Sequence, residues 1–185
     1  MGAARASIVV LMLVMFASLM FGCDTGEPLA TGDQFLAFDR DFADFESWTR
    51  FERDAALPST HPDAYSLVYV NALPPAGSTT FPQGTIIVRV APVGSIDTWV
   101  AHAMVKRGGD YNADVAPGWE FFDLHLVADG SARVPHIAWR GAQTPSGDGY
   151  MGPDGGSALS CGHCHGLGGG SNDSVLGDEL ALHSL

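Results

Sequence analysis

Apolar positions along this chain change their spacing twice, and each spacing predicts a different kind of element. The first segment, Ile8–Phe21, is an apolar run that ends at Gly22-Cys23 and the polar stretch Asp24-Thr25-Gly26-Glu27. Farther on, Phe35, Phe38, Phe42, Phe45 and Trp48 recur at three- and four-residue steps. That stripe predicts an amphipathic helix facing the core. From Ser66 the spacing shortens into β-rich runs: Ser66–Val70, Thr85–Val90, Thr98–Lys106, Trp119–Val127 and Pro135–Arg140. Turn-forming residues separate them, namely Pro74-Pro75-Ala76-Gly77, Gly108-Gly109, Pro117-Gly118 and Asp129-Gly130. Short connections favour antiparallel neighbours, so the pattern predicts an α+β fold, with an antiparallel sheet of about five strands flanked by a helix. Residues 141–160 are rich in glycine and proline without periodicity and read as a long loop.

Charge and composition narrow the compartment and the partners. The 185 residues fit one domain plus a targeting segment, and a hydrophobic fraction of 46% is enough to build a core. A net charge of −12, with Lys106 the only lysine, leaves no basic stripe to displace counterions from phosphates, which excludes nucleic acid as a partner. An acidic surface favours basic proteins and small neutral or cationic ligands. Arg5 followed by the Ile8–Phe21 run has the form of a signal peptide and is too short to span a bilayer comfortably. Gly22-Cys23 resembles a bacterial lipobox in which Cys23 is acylated, although Met20 and Phe21 stand where leucine and a small residue are usual. The alternative is a plainly cleaved secretory signal. The expected organisation is a signal over 1–22, a tether over 23–34 and one domain over 35–185. It faces the periplasm, freely or from an outer membrane through a lipid anchor.

With Cys23 assigned, the remaining thiols are Cys161 and Cys164, in Cys161-Gly162-His163-Cys164-His165. A bridge over two intervening residues would staple almost nothing, so their purpose is chemical. Cys-x-x-Cys-His is the attachment signature of c-type haem. Two thiols one turn apart match two neighbouring vinyl groups, and the histidine after the second cysteine supplies the proximal nitrogen. The residues thus predict one covalent haem c, held by Cys161 and Cys164, with His165 on the iron. Two other readings stay open at this point. A redox-active dithiol needs a helix after the motif, for which Gly166-Leu167-Gly168-Gly169-Gly170 is poor material. Zinc would recruit His163 and His165 beside the cysteines, a cramped set for a tetrahedron. Otherwise His163 faces solvent. No methionine follows the motif, so a sixth protein ligand would come from Met104, Met151, His102, His125 or His136.

Four blocks in order resemble the cytochrome P-460 family and its sibling, cytochrome c′-beta. They are Thr80-Phe81-Pro82-Gln83-Gly84-Thr85-Ile86-Ile87-Val88-Arg89, then Met104-Val105-Lys106-Arg107, then Gly118-Trp119-Glu120-Phe121-Phe122, and finally Cys161–His165. The resemblance implies an antiparallel sheet with flanking helices, a C-terminal haem-attachment segment and pairing as a homodimer. The family's cross-linking lysine aligns with Arg89, whose protonated guanidinium is a very poor nucleophile, so that cross-link is expected to be missing. The family's distal carboxylate falls near His102, which could serve as base, hydrogen-bond donor or iron ligand. Phe81 resembles the aromatic that caps the open face. Each position also has an ordinary reading: Arg89 as a propionate partner or an exposed strand residue, His102 as a strand histidine bonded to backbone, Phe81 as packing. Trp119, Phe121 and Phe122 are expected in the core and Glu120 in solvent.

The resulting expectation is an exported mono-haem cytochrome that binds a small ligand such as nitric oxide at an open iron. One alternative is an oxidoreductase acting on hydroxylamine or nitric oxide. The other is a six-coordinate carrier that passes electrons to a partner protein.

Overall fold

The computed structural model describes residues 33–53, 66–92, 99–129, 132–142, 150–151, 158–159, 161–182 and 184. The apolar N-terminal segment, Cys23 and most of the tether lie outside them. The described residues centre on one six-stranded antiparallel sheet in which every strand pairs with its neighbour in sequence. Its strands are β1 (Thr49–Arg53), β2 (Ser66–Val70), β3 (Ile86–Ala91), β4 (Val100–Lys106), β5 (Trp119–Asp129) and β6 (Ala132–Gly141).

The five runs found in the sequence correspond to β2–β6. They read clearly because Val, Ile and aromatic side chains stand on both faces, as in Ile86-Ile87-Val88 of β3. Pro135 fits within β6 because that strand lies at the sheet edge, where one N–H is not needed for pairing. The sixth strand was not expected. Thr49-Arg50-Phe51-Glu52-Arg53 carries a single apolar residue, since β1 is the opposite edge and half of it faces water.

Each sheet face is covered by a different part of the chain. One face packs Tyr69, Val88, Ala103, Phe122 and Leu124 against Phe42 and Phe45. There the Phe42 and Phe122 ring centroids lie 5.3 Å apart, and Phe45 meets Tyr69 edge-on at 5.2 Å. The other face packs Val68, Ile87, Met104, Trp119 and Phe121 against Val175, Leu180 and Leu182 from the C-terminal segment. Trp119, Phe121 and Phe122 are core residues as expected.

Three expectations are corrected. The aromatic stripe does not form an α-helix; it folds as two 3-10 turns, Asp39–Phe42 and Phe45–Ser47. Asp41 caps the first turn by accepting the Phe38 N–H at 2.8 Å. The chain then breaks at Asp44, whose backbone leaves the helical region (φ −105°, ψ 22°) and whose carbonyl accepts Ser47 Oγ at 2.7 Å. Within the expected loop 141–160, β7 (Tyr150–Met151) pairs with β8 (Ala158–Leu159); most of the other residues there lie outside the described set. Glu120 is not in solvent. It is 3% exposed and accepts from Arg140 Nε at 2.8 Å and Nη2 at 2.7 Å.

Candidate functional site

Register brings the chemistry-bearing strand residues into one row. Phe51 pairs with Val68, Val68 with Arg89, Arg89 with His102, His102 with Asp123, and Asp123 with Trp139. Directly paired residues project on the same side of a sheet. The row therefore runs across all six strands on the face covered by the C-terminal segment. Within it, His102 Nδ1 lies 2.8 Å from Asp123 Oδ1, both side chains being partly exposed. A carboxylate oxygen accepts, so Nδ1 is the protonated nitrogen of that ring. The neighbouring row, Val70–Ile87–Met104–Phe121, is apolar and forms the floor beside it.

Against this face packs the one α-helix among the described residues, α1 (Cys161–Gly168), which contains the whole cysteine motif. A helix through Gly166-Leu167-Gly168 overrides low propensity, and packing provides the reason. A Cβ at Gly166 would stand 2.0 Å from the Val115 carbonyl oxygen, and one at Gly162 would stand 2.6 Å from that of Ala142. Only glycine at these positions lets the helix approach so closely. Cys161 packs on the apolar cluster of this face, three residues before Cys164 on the same helix.

His165 turns inward from α1. Its ring centroid is 5.0 Å from that of Phe121, and its Nδ1 lies 2.9 Å from the Ser174 carbonyl oxygen. A carbonyl can only accept, so Nδ1 carries the proton and Nε2 is the nitrogen with a lone pair for a metal. Burial lowers the pKa of His165 and the nearby Arg53 charge lowers it further, against an opposing pull from the Ser174 hydrogen bond. The imidazole is thereby kept neutral, as a metal ligand must be. Cys161 is pushed up to about 12, first by burial and then by the charge of Asp123. A redox-active dithiol relies on a depressed thiol pKa, so this environment is the wrong one for it.

The remaining expected residues distribute as follows. Arg89 and His102 are cross-strand neighbours on the site face. Phe81 packs in the apolar cluster of the same face. It is 2% exposed and packs edge-on to Trp119 at 5.8 Å, at the Lys106 end of the sheet. Trp119 precedes Asp123 by four positions on β5, or about 13 Å at strand rise. Met104 is buried in the apolar row, His125 and His163 are exposed, and His136 is held by Asp39 at 3.1 Å. The Met151 side chain lies outside the described set. Among the described residues, no three His, Cys, Asp or Glu side chains gather as ligands for a bare ion.

Sequence reasoning missed two groups, Asp123 and the Ser174 carbonyl. Asp123 was detectable in principle, as an acid at the alternating positions that also hold Trp119 and Phe121. A backbone carbonyl leaves no side-chain signal. Comparison with protein-family models, with curated proteins and with solved structures found no match.

Proposed function

We propose that this chain is an exported mono-haem c-type cytochrome that binds a small ligand such as nitric oxide. The observation that carries the reading is the hydrogen bond from His165 Nδ1 to the Ser174 carbonyl at 2.9 Å, on the helix that also carries Cys161 and Cys164. The donor set fits a covalent haem: two thiols for thioether bonds, and one neutral imidazole turned to offer Nε2. Cys161 and Cys164 would hold the porphyrin, His165 would take the iron, and Arg53 or Arg89 would meet the propionates. When bound, the group supplies a redox-active iron able to take a sixth ligand.

The chain's own residues favour ligand binding over efficient hydroxylamine oxidation. Arg89 stands where the family that the sequence resembles has its cross-linking lysine, and a guanidinium is a very poor nucleophile. Lys106, the only lysine, is committed to Asp173 and to the Pro117 carbonyl. His102, whose Nδ1–H is held by Asp123, is the polar group of the site face that could donate to a bound diatomic when its Nε2 is protonated as well. That same bracing favours a second reading. Metal-ligating histidines are commonly held through their other nitrogen by a carboxylate, so His102 could complete a six-coordinate electron carrier. An N-terminal signal with Cys23 acylated would place the domain at the periplasmic face of a membrane, beside a redox partner protein.

The deciding experiment is a denatured pyridine haemochrome spectrum with intact mass, on protein from a host that performs haem attachment. A thioether-type spectrum and a mass gain of one haem are expected, and colourless protein at apoprotein mass would end the proposal. In the coloured product, a high-spin ferrous state that takes up nitric oxide supports the open site. A low-spin state that ignores it supports the carrier.

A further inference from the structure

We propose that Lys106 is a positioning residue for His165, acting through Asp173 and the backbone carbonyl of Ser174. The inference rests on reading His165 as the iron ligand, and it explains how the imidazole is aimed. Lys106 and Asp173 are both nearly buried, and Nζ donates to Asp173 Oδ1 at 2.7 Å and to the Pro117 carbonyl at 2.9 Å. The ammonium also lies 5.0 Å from the centroid of the Trp119 ring. Gly118 admits the lysine stem: a Cβ there would stand 3.2 Å from Cε.

Two further contacts of Asp173 fix the same corner. Its second carboxylate oxygen accepts the Phe81 N–H at 2.8 Å, and its carbonyl accepts Trp119 Nε1–H at 2.6 Å. Asp173 and Ser174 both have left-handed backbone, with φ of 52° and 64°. Two consecutive non-glycine residues hold that conformation only where their surroundings impose it. The Ser174 N–H is tied to the Gly169 carbonyl at 2.7 Å, which leaves the Ser174 carbonyl pointing at His165 Nδ1.

A buried ion pair is weak support for stability, because desolvation offsets most of its attraction. Its role here is geometric. Lys106 anchors Asp173, Asp173 forces the turn, and the turn sets where the acceptor for the imidazole proton stands. That acceptor fixes the tautomer and the ring plane and makes Nε2 more electron-donating.

The test compares Lys106→Met, Asp173→Asn and the conservative Lys106→Arg with the wild-type full chain. Histidine-labelled nitrogen NMR on protein made without haem attachment reads the proton on His165 Nδ1. The wild type should show a slowly exchanging Nδ1–H, with exchange roughly tenfold faster in Lys106→Met and Asp173→Asn and largely restored in Lys106→Arg. In haem-loaded ferrous protein the iron–histidine stretching band should fall and the midpoint potential should rise in the first two variants only. Unchanged exchange, band and potential in correctly folded variants would overturn the assignment. So would loss of fold in both Lys106→Met and Asp173→Asn, which would make the pair a general support. Failure of the wild type to take haem would end the cytochrome reading while the NMR comparison still decides the role of Lys106.

Discussion

His102 and Asp123 face each other across β4 and β5, joined Nδ1 to Oδ1 at 2.8 Å, on the face against which the cysteine-bearing helix packs. This pair gives the strand side of the site its direction. In haem-loaded protein, His102→Ala has a different outcome under each reading. If His102 donates to a bound ligand through a protonated Nε2, with Nδ1–H still on Asp123, the iron stays high-spin and nitric oxide dissociates about tenfold faster, the loss of roughly one hydrogen bond. If it ligates the iron, the wild type is low-spin and the variant becomes high-spin. Asp123→Asn should change the same observable in the same direction by less, since it loosens the ring without removing it. A variant with unaltered spectrum and dissociation rate would remove His102 from the site.

Glu120 makes a prediction about stability alone. Its carboxylate is 3% exposed, held in a fork by Arg140 with Arg107 at 3.5 Å. Truncation to alanine leaves the two guanidinium groups without their buried acceptor. We expect Glu120→Ala to cost about 3 kcal/mol, and Glu120→Gln less because the amide oxygen still accepts. The denaturant midpoint should fall with little change in slope. A loss below about 0.5 kcal/mol would show that water replaces the carboxylate.

These residues also show what the sequence made legible. Cys161, Cys164 and His165 drew the proposal because covalent attachment would need such residues adjacent, so that chemistry would be written in a short window. The strands β2–β6 were legible because both faces are packed and apolar residues fill them. Asp123 was not, because its partner lies 21 residues away and is chosen by register. Glu120 misled because a strand glutamate looks solvated until an arginine 20 residues on closes over it. The Phe35–Trp48 stripe misled differently. Its spacing correctly marked Phe42 and Phe45 as core, while Asp44 between them leaves the helical region and splits the segment into two turns.

Gly166 and Gly170 form a matched pair of tests for how α1 is seated. A Cβ at Gly166 collides with the Val115 carbonyl, whereas one at Gly170 meets nothing within 4 Å. Gly166→Ala should push the helix off the 111–118 turn, cost about 1–3 kcal/mol and lower the yield of haem-loaded protein. Gly170→Ala should stay within about 0.5 kcal/mol of wild type. Equal behaviour of the two would mean that close approach at Gly166 does not seat the motif.

Asp39 links the first 3-10 turn to β6 and predicts an acid-sensitive contact. Its carboxylate accepts the Ile137 backbone N–H at 3.0 Å and lies 3.1 Å from His136 Nδ1. The Ile137 bond, followed by the His136 contact, holds its pKa below the ordinary 3.8. A carboxyl with a depressed folded pKa stabilises above its unfolded value, and that contribution fades as the pH falls through the folded value. Wild type should therefore be more stable than Asp39→Asn by a constant margin above about pH 5, and the margin should shrink below about pH 4. The margin is small because the side chain is half exposed and water screens it. Denaturant midpoints for both proteins across this range measure it directly. A margin that stays constant to about pH 2.5 would mean that the Ile137 and His136 contacts do not depend on the ionised form.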